Sequence, residues 1–109
     1  MREVTRLGCG IWASDPPLVR NLMALARAQA DVVAVIDQLE VGRAQVMEQL
    51  ARRLDEAGRL ASGLRQQDAA DLLIAATSFA GWDQLVTGRQ RSPDTATDLI
   101  IDLACRAVT

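Results

Sequence analysis

Apolar residues recur along this chain at the three- and four-residue steps of amphipathic helices, and no two segments alternate in the two-residue step of paired strands. The β-branched run Val32-Val33-Ala34-Val35-Ile36 has strand propensity. A lone strand would lack a partner, so the run is read as helix. Prolines and glycines then divide the chain into five helical blocks. The first spans about Arg2–Ala13 and is weakened by Gly8 and Gly10. Asp15 reads as an N-cap before Pro16, opening a helix to about Ala30 whose apolar face is Leu18, Leu22 and Leu25, with Met23 beside it. A bend near Asp31 leads into a long helix ending at Ala57. Its stripe is Leu39, Val46, Leu50, Leu54 and Ala57, with Glu48, Arg52 and Glu56 opposite. Gly58 is placed as a C′ glycine. After a loop to Leu64, a fourth helix is predicted over about Gln66–Val86, stopped by Gly88. Ser92-Pro93 then starts a last helix to about Val108. The expectation is one all-α domain, residues 1–109, of about five helices.

The last two helices carry more apolar surface than one packed face requires. In the fourth, Ala69, Ala70, Leu72, Leu73, Ile74, Ala75, Ala76, Phe79, Ala80, Trp82, Leu85 and Val86 cover most of the circumference. In the fifth, Leu99, Ile100, Ile101, Leu103, Ala104, Ala107 and Val108 cover a wide arc. A helix apolar nearly all round is buried on two sides. In so short a chain, the economical second side is another copy. Two helices meeting their symmetry mates then form an intermolecular four-helix bundle. Its candidate interface residues are Leu72, Ala76, Ala80, Leu99, Ile100 and Leu103. The competing arrangement is a monomer with one central helix.

Composition narrows the chemistry. The chain has 109 residues, 50% of them hydrophobic, with 12 basic and 14 acidic side chains and a net charge of −2. Every basic residue is arginine. This balance argues against an electrostatic footprint for nucleic acid, and no direct nucleic-acid binding is expected. There is no histidine, which removes the usual general base and the commonest metal ligand. Cys9 and Cys105 lie far apart with no CxxC partner, so no zinc site, metal or cofactor is expected. A disulfide between them stays open beside the blander reading of two reduced thiols. Gly8-Cys9-Gly10 is too short for a phosphate loop, and nothing beside Cys9 lowers a thiol pKa. No catalytic residue is assigned and no enzyme is expected. Arg2 and Arg6 precede no sustained apolar core, so no signal peptide is read. The run Leu72–Ala80 is far short of the ~20 residues of a membrane span. A cytoplasmic protein is expected.

One order of residues resembles a known family. Glu40-Val41-Gly42-Arg43 opens a helix through Leu50, Leu54, Ala57, Gly58 and Leu60. Gly63-Leu64, Ala69-Ala70-Asp71-Leu72-Leu73, Ala76-Thr77-Ser78, Leu85-Val86, Arg89 or Arg91, and Ser92-Pro93 follow. Taken together, Glu40 to Pro93 resembles the C-terminal, ligand-binding and dimerising domain of TetR-family transcription regulators. The tail to Thr109 fits less closely, with Leu99 and Ile100 where an aromatic is expected. The resemblance implies a dimer interface on the last two helices and a pocket for a small, mostly apolar effector. That family reads DNA through an N-terminal helix-turn-helix head, and nothing in this sequence reads as one. A DNA-binding role is therefore not carried over. The implied partners are a second copy, a small apolar effector and, through mixed dimers, a full-length TetR-family regulator. The alternative is a structural remnant with no effector.

The candidate pocket residues are the large or soft side chains Trp12, Met23, Met47, Phe79 and Trp82. Each also reads as plain core, and Trp82 fits the dimer seam as well. Thr77 and Ser78 lie in the most apolar stretch. They offer hydroxyls to a ligand or, more commonly, back-bond to the carbonyl four residues earlier. Arg43 lies at the edge of the long helix's stripe, where it pairs with a carboxylate between helices or extends to water; an anionic effector would want such an arginine, but nothing in the sequence shows one. Asp94, Asp98 and Asp102 recur every four residues and read as a solvated face, with Asp94 favourable at the helix start.

Overall fold

In a computed structural model, residues 2, 3, 5, 6, 9, 12, 16–25 and 29–109 are described. Among them there is no strand. The helices are α1 (Pro16–Leu25), α2 (Ala30–Glu56), α3 (Gln66–Ala76), α4 (Phe79–Asp83) and α5 (Pro93–Val108). A π-helical turn over Gln84–Gly88 extends α4. Arg2, Glu3, Thr5, Arg6, Cys9 and Trp12 are helical, in the span expected to form the first block. The expected N-cap Asp15 and the glycines of the Gly8-Cys9-Gly10 run lie outside the described residues.

Helix α2 contains the β-branched run, as expected. At ~1.5 Å per residue its 27 residues span ~40 Å, making it the longest strut of the fold. Asp31 in its first turn complements the positive end of the helix dipole. It stops at a left-handed glycine: Gly58 has φ +66°. Gly58 N–H donates to the Asp55 carbonyl at 3.0 Å, and Arg59 N–H to that of Leu54 at 2.8 Å. These two bonds form a Schellman motif and satisfy carbonyls the helix leaves open. The loop beyond is fastened to the far end of the chain, where Ala61 N–H donates to the Val108 carbonyl at 2.8 Å. Ser92 caps α5 by accepting from Thr95 N–H at 3.1 Å, with Pro93 at its first turn.

The apolar face expected on α1 is not the one that packs: Leu18 and Leu25 are exposed and Leu22 half-buried, while Val19 and Met23 lie against the core. Two further expectations need correction. The long helix buries Arg43, Met47, Leu50, Ala51 and Leu54, whereas Leu39, Val46 and Ala57 are exposed. The buried stripe is therefore turned from the expected one, towards the line on which α3 packs; only Leu50 and Leu54 belong to both. Glu48, Arg52 and Glu56 are exposed, as expected.

The second correction concerns the expected helix over Gln66–Val86, which is broken at Thr77–Ser78. Thr77 donates its hydroxyl to the Leu73 carbonyl four residues back, at 2.7 Å. Arg43 takes the Ile74 carbonyl at 2.6 Å. Ser78 is extended (φ −64°, ψ 149°), and its Oγ accepts from Gly81 N–H to begin α4. Polar side chains have taken over the backbone groups of this turn, which apolar periodicity does not reveal.

Two clusters make the core. Met47, Leu50, Ala51 and Leu54 of α2 pack with Ala69, Ala70 and Leu73 of α3 and with Ala104 and Val108 of α5. Cys9 and Trp12 pack with Phe79 and Trp82 of α4 and with Ala96 and Ile100 of α5. Helix α5 runs through both, so part of its apolar surplus is covered by the chain's own N-terminal residues. Two ion pairs fasten that contact: Arg2 to Asp102 and Arg6 to Asp98, each 2.8 Å. Rising numbers in one segment meet falling numbers in the other, so the two run antiparallel. The Asp98–Asp102 face thus receives arginines, while Asp94 stays exposed.

Candidate functional site

A cavity of about 630 Å³ opens where α1, α2 and α4 converge. Arg20, Met23 and Ala24 share one face of α1 by their three- and four-residue spacing. Glu40 and Arg43 come from one turn of α2, Ser78, Phe79 and Ala80 from the start of α4, and Asp83 from its last position. The break after α3 creates this wall, because a helix running straight through Thr77 would not place Ser78 as a cap. Met23, Ala24, Phe79 and Ala80 supply the apolar lining. Arg20, Glu40, Arg43, Ser78 and Asp83 make the rest of the lining polar or charged, and the size is that of a small-molecule site.

Arg43 is the electrostatic centre. The residue is only 7% exposed, and a buried guanidinium is costly unless its donors are met. One terminal nitrogen (Nη1) donates to the Ile74 carbonyl at 2.6 Å and to Thr77 Oγ1 at 2.8 Å. The other (Nη2) reaches Glu40 Oε2 at 2.6 Å. Nε is buried with no hydrogen-bond partner among the described residues. The cation also meets the carbonyl-rich end of α3, where positive charge is favoured. Arg43 therefore pairs with a carboxylate, but within its own helix.

The second cation is held differently. Arg20 reaches Asp83 at 2.7 Å and Thr87 Oγ1 at 2.9 Å, and the Thr87 hydroxyl donates back to Asp83. The Arg20 guanidinium holds the Asp83 carboxyl below the usual carboxylate range, with Thr87 contributing less. Thr87 belongs to the π-helical turn, so that turn helps tie α1 to α4.

Of the candidate pocket residues, Met23 and Phe79 line the cavity. Met47 lies in the first core cluster, and Trp12 and Trp82 lie behind Phe79 in the second. The ring centroids are 5.4 Å apart for Trp12–Phe79 and 6.2 Å for Phe79–Trp82. Both indole N–H groups are satisfied inside the chain, on the Thr77 carbonyl at 2.8 Å and on Thr97 Oγ1 at 3.3 Å. Of the candidate interface residues, Leu72, Leu99 and Leu103 are exposed, Ala80 is exposed at the cavity and Ala76 is half-buried. Ile100 is buried in the same core cluster as Trp12 and Trp82, which removes it from any surface contact. Sequence reasoning missed Arg20, Ala24, Glu40 and Asp83. The i,i+3 pair Glu40–Arg43 was a legible signal. The Arg20–Asp83 pair joins residues 63 apart and left none.

Both cysteines are free. Burial pushes the Cys9 thiol up to about 11, the opposite of an activated nucleophile. Among the described residues, no cluster of acidic or cysteine side chains is arranged to hold a metal ion. No helix there is long and apolar enough to cross a membrane. No family model, curated protein or solved structure matches the chain.

Proposed function

We propose that this chain is an effector-binding and dimerisation domain of the TetR-regulator kind, acting on transcription through the partner it pairs with. The observation that carries the reading is the cavity at the α1–α2–α4 junction, walled by Met23 and Phe79 and bordered by a buried arginine. The cleft is open to solvent past Ala24 and Ala80, so a ligand can reach its apolar walls. Leu99 and Leu103 support the dimer. They lie four residues apart on one stripe of α5 and are 42% and 59% exposed, as a helix that packs against a second copy requires.

The test is a thermal shift with a neutral apolar probe, decanol, on the whole chain and on Ala80→Trp, which fills the mouth of the cavity. Binding stabilises by RT ln(1 + [L]/Kd), so ten times Kd contributes about 1.4 kcal/mol. That raises Tm by several degrees in a domain of this size. A saturable rise in the parent, lost in Ala80→Trp, supports the reading. No rise at any concentration, with decanol or with its carboxylate counterpart decanoate, returns the chain to a structural module with no effector.

A further inference from the structure

Resting on the effector-binding reading, we propose that the cavity selects an amphipathic monocarboxylate, such as a medium-chain alkyl acid, whose head displaces Glu40 from Arg43. Arg43 is anchored to the protein through Nη1, by the Ile74 carbonyl and the Thr77 hydroxyl. That anchor holds the guanidinium in place whatever happens on its other side. There, Glu40 takes a single bond from Nη2, while Nε is left without a partner. A guanidinium pairs best with a carboxylate through two parallel N–H bonds. Glu40, fixed three residues away on the same helix, makes one.

Nε is buried, so a ligand reaches it only when a neighbour moves. Glu40 is the neighbour with that freedom. Its side chain is 39% exposed, and an ion pair with one partner so open to water is weak. A ligand carboxylate bridging Nε and Nη2 makes two bonds where one stood and releases Glu40 to solvent. Arg20 is already charge-balanced by Asp83, which it meets through Nη2 beside Thr87, whereas among the described residues Arg43 is the arginine with a buried, unpartnered nitrogen. Asp83 and the released Glu40 both disfavour a doubly charged head such as a phosphate dianion. A cationic head would find both arginines ahead of it and both carboxylates engaged. The remaining walls, Met23 and Phe79, are apolar and suit an alkyl chain.

Trp12 and Trp82, packed against Phe79, report binding by fluorescence. The experiment titrates the whole chain with decanoate and with decanol, which share a tail and differ in the head. Wild type is expected to bind decanoate about tenfold more tightly, the value of one added charge-assisted bond. Glu40→Gln is expected to raise decanoate affinity several-fold more than decanol affinity, and Arg43→Met to erase the preference. If Arg43→Met fails to fold, the wild-type ratio and Glu40→Gln still decide. Equal affinity for both probes, or no selective gain in Glu40→Gln, overturns the carboxylate assignment and leaves the effector reading standing. Failure of both probes to bind overturns the two together.

Discussion

The two halves of α2 are built from similar residues and meet different fates. From Arg43 onward, every fourth or third position is buried: Met47, Leu50 or Ala51, and Leu54, all pressed against α3 and α5. Before Arg43, Val33, Val35, Leu39 and Val41 are exposed. Apolar content is therefore not what buries a helix face; a partner helix lying across it is. The second half has α3 along it. The first half has the short α1, which leaves room for the cavity. Arg43 marks the boundary, tying the first buried turn of α2 to the end of α3 while facing the open side.

The sharpest way to break this comparison is to truncate one leucine in the buried half. Leu54→Ala is expected to cost about 2–5 kcal/mol, read by denaturant unfolding, because the three-helix contact cannot collapse around the void. At the boundary, Arg43→Met removes a buried charge but strips the Ile74 carbonyl and the Thr77 hydroxyl of their donor. A loss of about 1–3 kcal/mol is expected, and thermal melting measures it.

A pH titration sharpens the account of the N-terminal residues. The folded Cys9 thiol titrates at about 11, against 9.0 for the ordinary group. A raised value means the stability is fully present below 9.0 and is lost as pH rises through 11. Stability should fall across that alkaline window by on the order of 2 kcal/mol, with Cys9→Ser lacking the slope. At the acid end, Asp83 and Asp102 are lowered by Arg20 and Arg2. Their contribution is present above the ordinary carboxylate value of about 4 and is lost as pH falls through the lower folded values. The smallest effect belongs to the open half: Val35→Ala is expected to change stability by less than about 0.5 kcal/mol. A cost near that of Leu54→Ala would show that the first half of α2 is covered in solution.

Much of this fold was legible in the chain. Gly58 fixed the end of α2, Ser92-Pro93 the start of α5, and the lack of any second strand-like run made the Val32–Ile36 cluster helical. What escaped were features decided by side-chain hydrogen bonds across sequence distance. Thr77 and Ser78 looked like polar guests in a long apolar helix. They end that helix because Thr77 and Arg43 take the carbonyls of its last turn. The turned stripe of α2 depends on where α3 lies, which spacing within one helix does not encode. A pocket was an expectation of the family resemblance alone, with no pattern in the residues marking the α1–α2–α4 cleft. Two of the residues proposed for it line it, while Trp12, Met47 and Trp82 pack beside or behind, because aromatic and methionine side chains fill cores more often than they border sites.

The surface contrast within α5 leads to the most direct measurement. Ile100 and Ala104 are spent inside the chain, but Leu99 and Leu103 remain outside. Molar mass by light scattering across a dilution series reads what those leucines do. The account predicts a stable species at twice the 11.8 kDa of the chain, shifted towards the single-chain mass by Leu103→Asp. A soluble particle of 11.8 kDa at every concentration would contradict it. Leu99 and Leu103 would then stay in water beside a helix covered only by the chain's own contacts, and the dimerising role would fall.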